Sequence, residues 1–85
     1  MVIDLSGTLR KVSAQGNDLK IYGSQSNRIR DIENSMHQFN KGETGGKNRY
    51  GFSKEVAESL AREHRLSRDE QSSLQKEIEY ELRDL

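Results

Sequence analysis

The chain has 85 residues, 31% hydrophobic and 33% charged, with 14 Lys/Arg balancing 14 Asp/Glu and no cysteine or proline. That length sets one domain, residues 1–85, with a thin core burying about 60% of the unfolded surface. Without cysteine, disulfides and thiolate metal sites are excluded. No apolar run approaches the roughly 20 residues of a membrane span, and the first residues do not read as a basic-then-apolar leader, so a cytoplasmic chain with no membrane partner is expected.

Leu, Ile, Val and Phe number 18, a proportion near the edge of disorder, but zero net charge removes the self-repulsion that opens such chains. Charge is unevenly placed. Residues 1–52 carry eight Lys/Arg and five Asp/Glu, and residues 53–85 carry six and nine. A basic half and an acidic half follow.

Residues 1–25 read as β. VIDL and TLRKVSA flank the turn dipeptide Ser6-Gly7, and KVSA and LKIYG flank QGND. Pairing Ala14 with Leu19 and Val12 with Ile21 puts four apolar side chains on one face, with Lys11, Ser13, Lys20 and Tyr22 opposite. The expectation is a β-hairpin or three-strand meander, marginal unless a helix covers it.

Three helices are then expected. The first spans 26–40, capped by Ser26 or Asn27, with Ile29, Ile32, Met36 and Phe39 spaced 3, 4 and 3. The second starts after Ser53 with Val56, Ala57, Leu60 and Ala61 on one side. The third starts at Ser67-Arg68-Asp69-Glu70, a capping box, with Leu74, Ile78, Leu82 and Leu85 as its stripe. The short connector His64-Arg65-Leu66 makes 53–85 an αα-hairpin. The fold class expected is α+β.

Between the first two helices lies KGETGGKNRYGF, residues 41–52. A P-loop needs G-x-x-x-x-G-K-[ST] between a strand and a helix. Here Gly42 to Gly46-Lys47 is one residue short, Asn48 replaces the hydroxyl, and a helix precedes it, so the segment reads as a mobile Gly-rich connector. Its Lys41, Lys47 and Arg49 with Tyr50 supply the phosphate contacts and stacking ring of a second, nucleic-acid reading.

Residues 60–75 invite comparison with a DNA-binding helix-turn-helix. Arg65 stands at the turn position usual for glycine, Gln71 at an apolar anchor, and Asp69, Glu70, Glu77, Glu79 and Glu81 would repel phosphates. A ribbon-helix-helix with RYGFS as strand fits the spacing better but lacks an alternating polar strand. An amphipathic hairpin with a solvated acidic face is the plainer reading.

Catalytic patterns are absent from the sequence. His37 sits beside the first stripe. His64 sits at a helix C-terminus, where a cation complements the helix dipole. Glu77 and Glu79 point apart on a helix, and Glu77 and Glu81 share a face. No enzyme, catalytic residue, metal or cofactor is expected.

The function expected is a non-enzymatic protein-binding, assembly or inhibitor module, of a kind common in phage and mobile elements. Tyr50, Phe52, Leu82 and Leu85 are its candidate anchors. Apolar stripes in excess of what a thin core can bury point to a homo-oligomer, most simply a dimer. The alternatives are a nucleic-acid-binding accessory protein using Arg10, Lys11, Lys20, Arg28, Arg30, Lys47 and Arg49, or a segment of a larger conjugation or secretion component.

Overall fold

The computed structural model describes residues 3–40 and 48–84, with side chains from Ile3 to Phe39 and from Asn48 to Arg83. Among them there are four α-helices and no strand: α1 Leu5–Val12, α2 Ser24–Asn40, α3 Arg49–His64 and α4 Arg68–Asp84, with a 3-10 turn at Gly16–Asp18. The expected α+β class and its N-terminal hairpin or meander are therefore corrected to an all-helical architecture.

The first correction has a local cause. Asp4 caps α1, its Oδ1 accepting the Gly7 amide at 3.0 Å. The Ser6-Gly7 pair therefore belongs to a helix start. Leu5, Leu9 and Val12 then fall at spacings of four and three, and Leu5 and Leu9 are wholly buried. The apolar set that suggested cross-strand pairing does point inward. Leu19 is buried and Val12 and Ile21 pack against the core. They reach it from a helix end and an extended connector, and Ala14 is exposed.

The helix starts also move. α2 begins at Ser24, directly after Gly23 in the left-handed region (φ 53°), so Ser26 and Asn27 lie inside it and do not cap it. α3 begins at Arg49. Its cap is Asn48, whose Oδ1 accepts the Gly51 amide at 2.6 Å. RYGFS is thus the first turn of a helix, which removes both the ribbon strand and the last part of the expected connector. Residues 41–47, including the P-loop-like stretch, lie outside the described residues.

The three long-helix stripes form one core. Ile29 and Met36 from α2, Val56, Ala57 and Leu60 from α3, and Leu74, Ile78 and Leu82 from α4 are buried together with Leu5 and Leu9, and Ile32 and Phe39 pack against them. The described residues of the stripes that suggested self-association are thus buried or half-buried within one chain.

α3 and α4 form the expected antiparallel hairpin. Ser67 and Glu70 make the capping box: the Ser67 amide donates to Glu70 Oε1 at 2.8 Å, and the Glu70 amide to Ser67 Oγ at 3.2 Å. At the other end Ser53, wholly buried, reaches Glu79 Oε1 at 3.2 Å. Helices of a helix-turn-helix cross at a steep angle and diverge. Here they stay together over both lengths, so residues 60–75 do not have that geometry.

The turn contains a costly residue. Arg65 adopts φ 56°, ψ 45°, and the Leu66 amide donates back to the Ala61 carbonyl oxygen at 2.9 Å. Glycine is the usual occupant of such a left-handed position because it lacks the Cβ penalty. Arg65→Gly is expected to stabilise the protein by about 1 kcal/mol, read as a higher urea midpoint at unchanged slope. An unchanged or lower midpoint would show that the arginine side chain compensates for its backbone.

Candidate binding surface

α1 lies antiparallel along α4, held by a row of α4 carboxylates. Thr8 Oγ1 bonds Glu81 Oε1, Lys11 Nζ lies 3.2 Å from Glu77 Oε1, and the Ala14 amide donates to Glu70 Oε2 at 2.6 Å. From α2, Glu33 Oε2 accepts the Leu5 amide at 2.8 Å. Much of the acidity assigned to a solvated face therefore works inside the molecule. Its Ser67 and Ala14 backbone partners hold the Glu70 carboxyl below the usual carboxylate range.

Burial separates the four expected protein-binding anchors. Phe52 and Leu82 are core side chains, 7% and 3% exposed, and Phe52 stacks on Phe39 with ring centroids 5.1 Å apart. Both belong to the shared core. Tyr50 is 60% exposed. Leu85 lies outside the described residues.

Two large apolar side chains missed in the sequence join Tyr50 on the surface, Tyr22 and Tyr80. Tyr80 stands on the outer face of α4, with the Arg83 guanidinium 5.8 Å from its ring centre. Lys76, Glu79, Tyr80 and Arg83 line a shallow groove there. Since Ser53 meets Glu79, the first turn of α3, with Tyr50, and the last turns of α4, with Tyr80 and Arg83, lie at the same open end of the hairpin. The signal in the sequence was the 76, 80, 83 spacing, which puts two cations and a ring on one helical stripe.

The described nucleic-acid candidates are spread over α1, the connector, α2 and the start of α3. Lys11 is paired with Glu77 and Arg28 with Glu63 at 2.9 Å, Arg28 also bonding Ser59. Arg10 Nε donates to the Leu19 carbonyl oxygen at 3.4 Å. Lys20, Arg30 and Arg49 are exposed on the connector, α2 and the start of α3. Lys47 and Lys41 lie outside the described residues.

His64 corrects another expectation. It is 8% exposed, its Nε2 is buried without a hydrogen-bond partner, and burial pushes its pKa below the usual histidine value against the raising effect of Glu63. Burial thus works against the dipole-complementing cation expected at the α3 terminus. Among the described residues no group of three or more His, Asp or Glu is placed to hold a metal ion, and no helix is long and apolar enough to cross a membrane. Comparison with protein-family models, curated proteins and solved structures gives no match.

Proposed function

We propose that this protein is a non-enzymatic protein-binding module that engages its partner through the open end of the α3–α4 hairpin. The observation that carries this reading is the exposure of Tyr50 and Tyr80, 60% and 59%, with the Arg83 guanidinium against the Tyr80 ring. Tyrosine and arginine are enriched among the residues that dominate protein interfaces, because they combine large contact area with polar tips. Electrostatics favours a protein over a polyanion. The chain has no net charge, and two of the seven candidate phosphate-binding cations are in ion pairs, so long-range attraction to nucleic acid is weak.

The test is affinity capture from native extract, with and without nuclease, using the wild type and a Tyr50→Ala/Tyr80→Ala variant. Both rings are exposed, so the melting temperature should stay within a few degrees. A nuclease-resistant protein retained by the wild type at high salt, and lost by the variant, is the expected result. Capture that disappears on nuclease treatment, or that the variant retains in full, would overturn the reading in favour of the basic residues or another face.

A further inference from the structure

The seam between α1 and α4 contains a carboxyl group, Glu81, with one oxygen bonded to Thr8 and the other buried without a partner. Thr8 Oγ1 lies 3.1 Å from the Asp4 carbonyl oxygen and also bonds Glu81 Oε1. A hydroxyl has one hydrogen to donate. The Asp4 carbonyl oxygen already accepts the Thr8 amide at 3.1 Å, so the hydroxyl can donate to a charged Glu81 or accept from a protonated one. The other carboxyl oxygen, Glu81 Oε2, is buried with no hydrogen-bond partner. An unpartnered buried oxygen is much less costly on a neutral acid than on an anion.

The surrounding charges act in the same direction. Asp4 at the start of α1, Glu33 from α2 and Glu77 one turn back on α4 all face Glu81 with negative charge. Lys11, the cation on this seam, is engaged by Glu77. We propose that α1 is a proton-governed strap: it docks on α4 while the Glu81 carboxyl keeps a proton shared with the Thr8 hydroxyl, and a rise in pH releases it. Release withdraws Leu5 and Leu9 from the core cluster that includes Ile78 and Leu82. Gly16 and Gly23, both with positive φ, bracket the connector over which the strap would swing.

Burial, ahead of its carboxylate neighbours and against the Thr8 hydrogen bond, raises the Glu81 pKa above its ordinary value of 4.5. A raised carboxyl contributes its full stabilisation below the unfolded value and loses it as pH rises through the folded one. Glu70, which holds the connector end of the strap through Ala14, is shifted the other way. Its contribution is present above the unfolded value and is lost as pH falls through the folded one. The strap is therefore gripped from both ends only between the lowered Glu70 value and the raised Glu81 value. It opens at its Thr8 end on the alkaline side.

Amide hydrogen exchange on the wild-type protein, corrected for the intrinsic pH dependence, tests this. Protection of residues 5–12 is expected to fall relative to α3 by up to about tenfold per pH unit once Glu81 titrates, the limit for one linked proton. Glu81→Gln keeps the shape and donates a permanent hydrogen bond, so its α1 protection should be flat with pH. A Glu58→Gln control, on α3, should keep the wild-type slope. A parallel loss across α1 and α3, or a slope that survives in Glu81→Gln, would overturn the proposal. So would a carbon-detected NMR titration of the wild type placing the Glu81 midpoint at or below 4.5, which needs no variant to fold.

Discussion

Replacing Ile78 with aspartate is expected to leave the chain unfolded at 25 °C. Ile78 is wholly buried on α4, in one cluster with the core residues of α1, α2 and α3. The substitution removes a fully buried aliphatic side chain, worth about 2 kcal/mol of transfer energy or more. It also puts a carboxylate into that apolar cluster, so the total loss exceeds about 4 kcal/mol. A domain of this size has about 4–13 kcal/mol in all, at the usual stability per residue, and a thin core belongs at the low end. Far-UV circular dichroism should show a large loss of helix and no cooperative melt. A helical spectrum with a sharp transition near the wild-type temperature would mean that the shared core does not hold the four helices together.

How much of this fold could be read from the sequence depends on how local its causes are. The capping box at Ser67 and Glu70 lies within four residues, and both of its reciprocal bonds form. The stripe of α2 was legible because a 3-4-3 spacing over eleven residues has no competing period. α1 was misread because eight residues fit both periods, and an isolated helix of eight residues is not stable. What stabilises α1 comes from far away in the chain: Glu33, Glu70, Glu77 and Glu81, 28 to 73 residues from the groups they hold.

Two glycines misled the reading in the same way. Gly7 and Gly51 look like turn or connector markers. Each stands three residues after a capping Asp4 or Asn48 and gives its amide to that side chain. A Cβ at Gly7 would come within 2.5 Å of Asp4 Oδ2, and one at Gly51 within 3.1 Å of Asn48 Oδ1. The pattern Asx-x-x-Gly thus marks two helix starts here, and a search for Ser or Thr with a following Glu finds neither. At the candidate surface Tyr50 was legible as a ring in a polar segment. Phe52, two residues later, has the same local appearance. Its burial in the shared core, Phe39 included, separates it from a surface anchor.

That separation gives the second large effect. Phe52→Ala is expected to destabilise the protein by about 3–4 kcal/mol, the usual cost of deleting a buried phenyl ring. Phe52 closes against Phe39 at 5.1 Å. The pair therefore joins the last turn of α2 to the first turn of α3, across the segment 41–47, and its loss loosens both helix ends together. For a chain of this length that is a fall in melting temperature of about 15–25 °C, and Phe39→Ala should produce much of the same fall. Because the two rings touch, the double variant should lose less than the sum of the single losses. Tyr50→Ala, on the same turn but exposed, should change stability by no more than about 0.5 kcal/mol and act on binding alone. The two variants thus exchange roles from fold to surface within three residues. A Phe52→Ala protein that melts like the wild type yet fails to capture a partner that Tyr50→Ala still captures would put Phe52 at the interface. It would also remove the ring pair from the forces that hold α2 to α3.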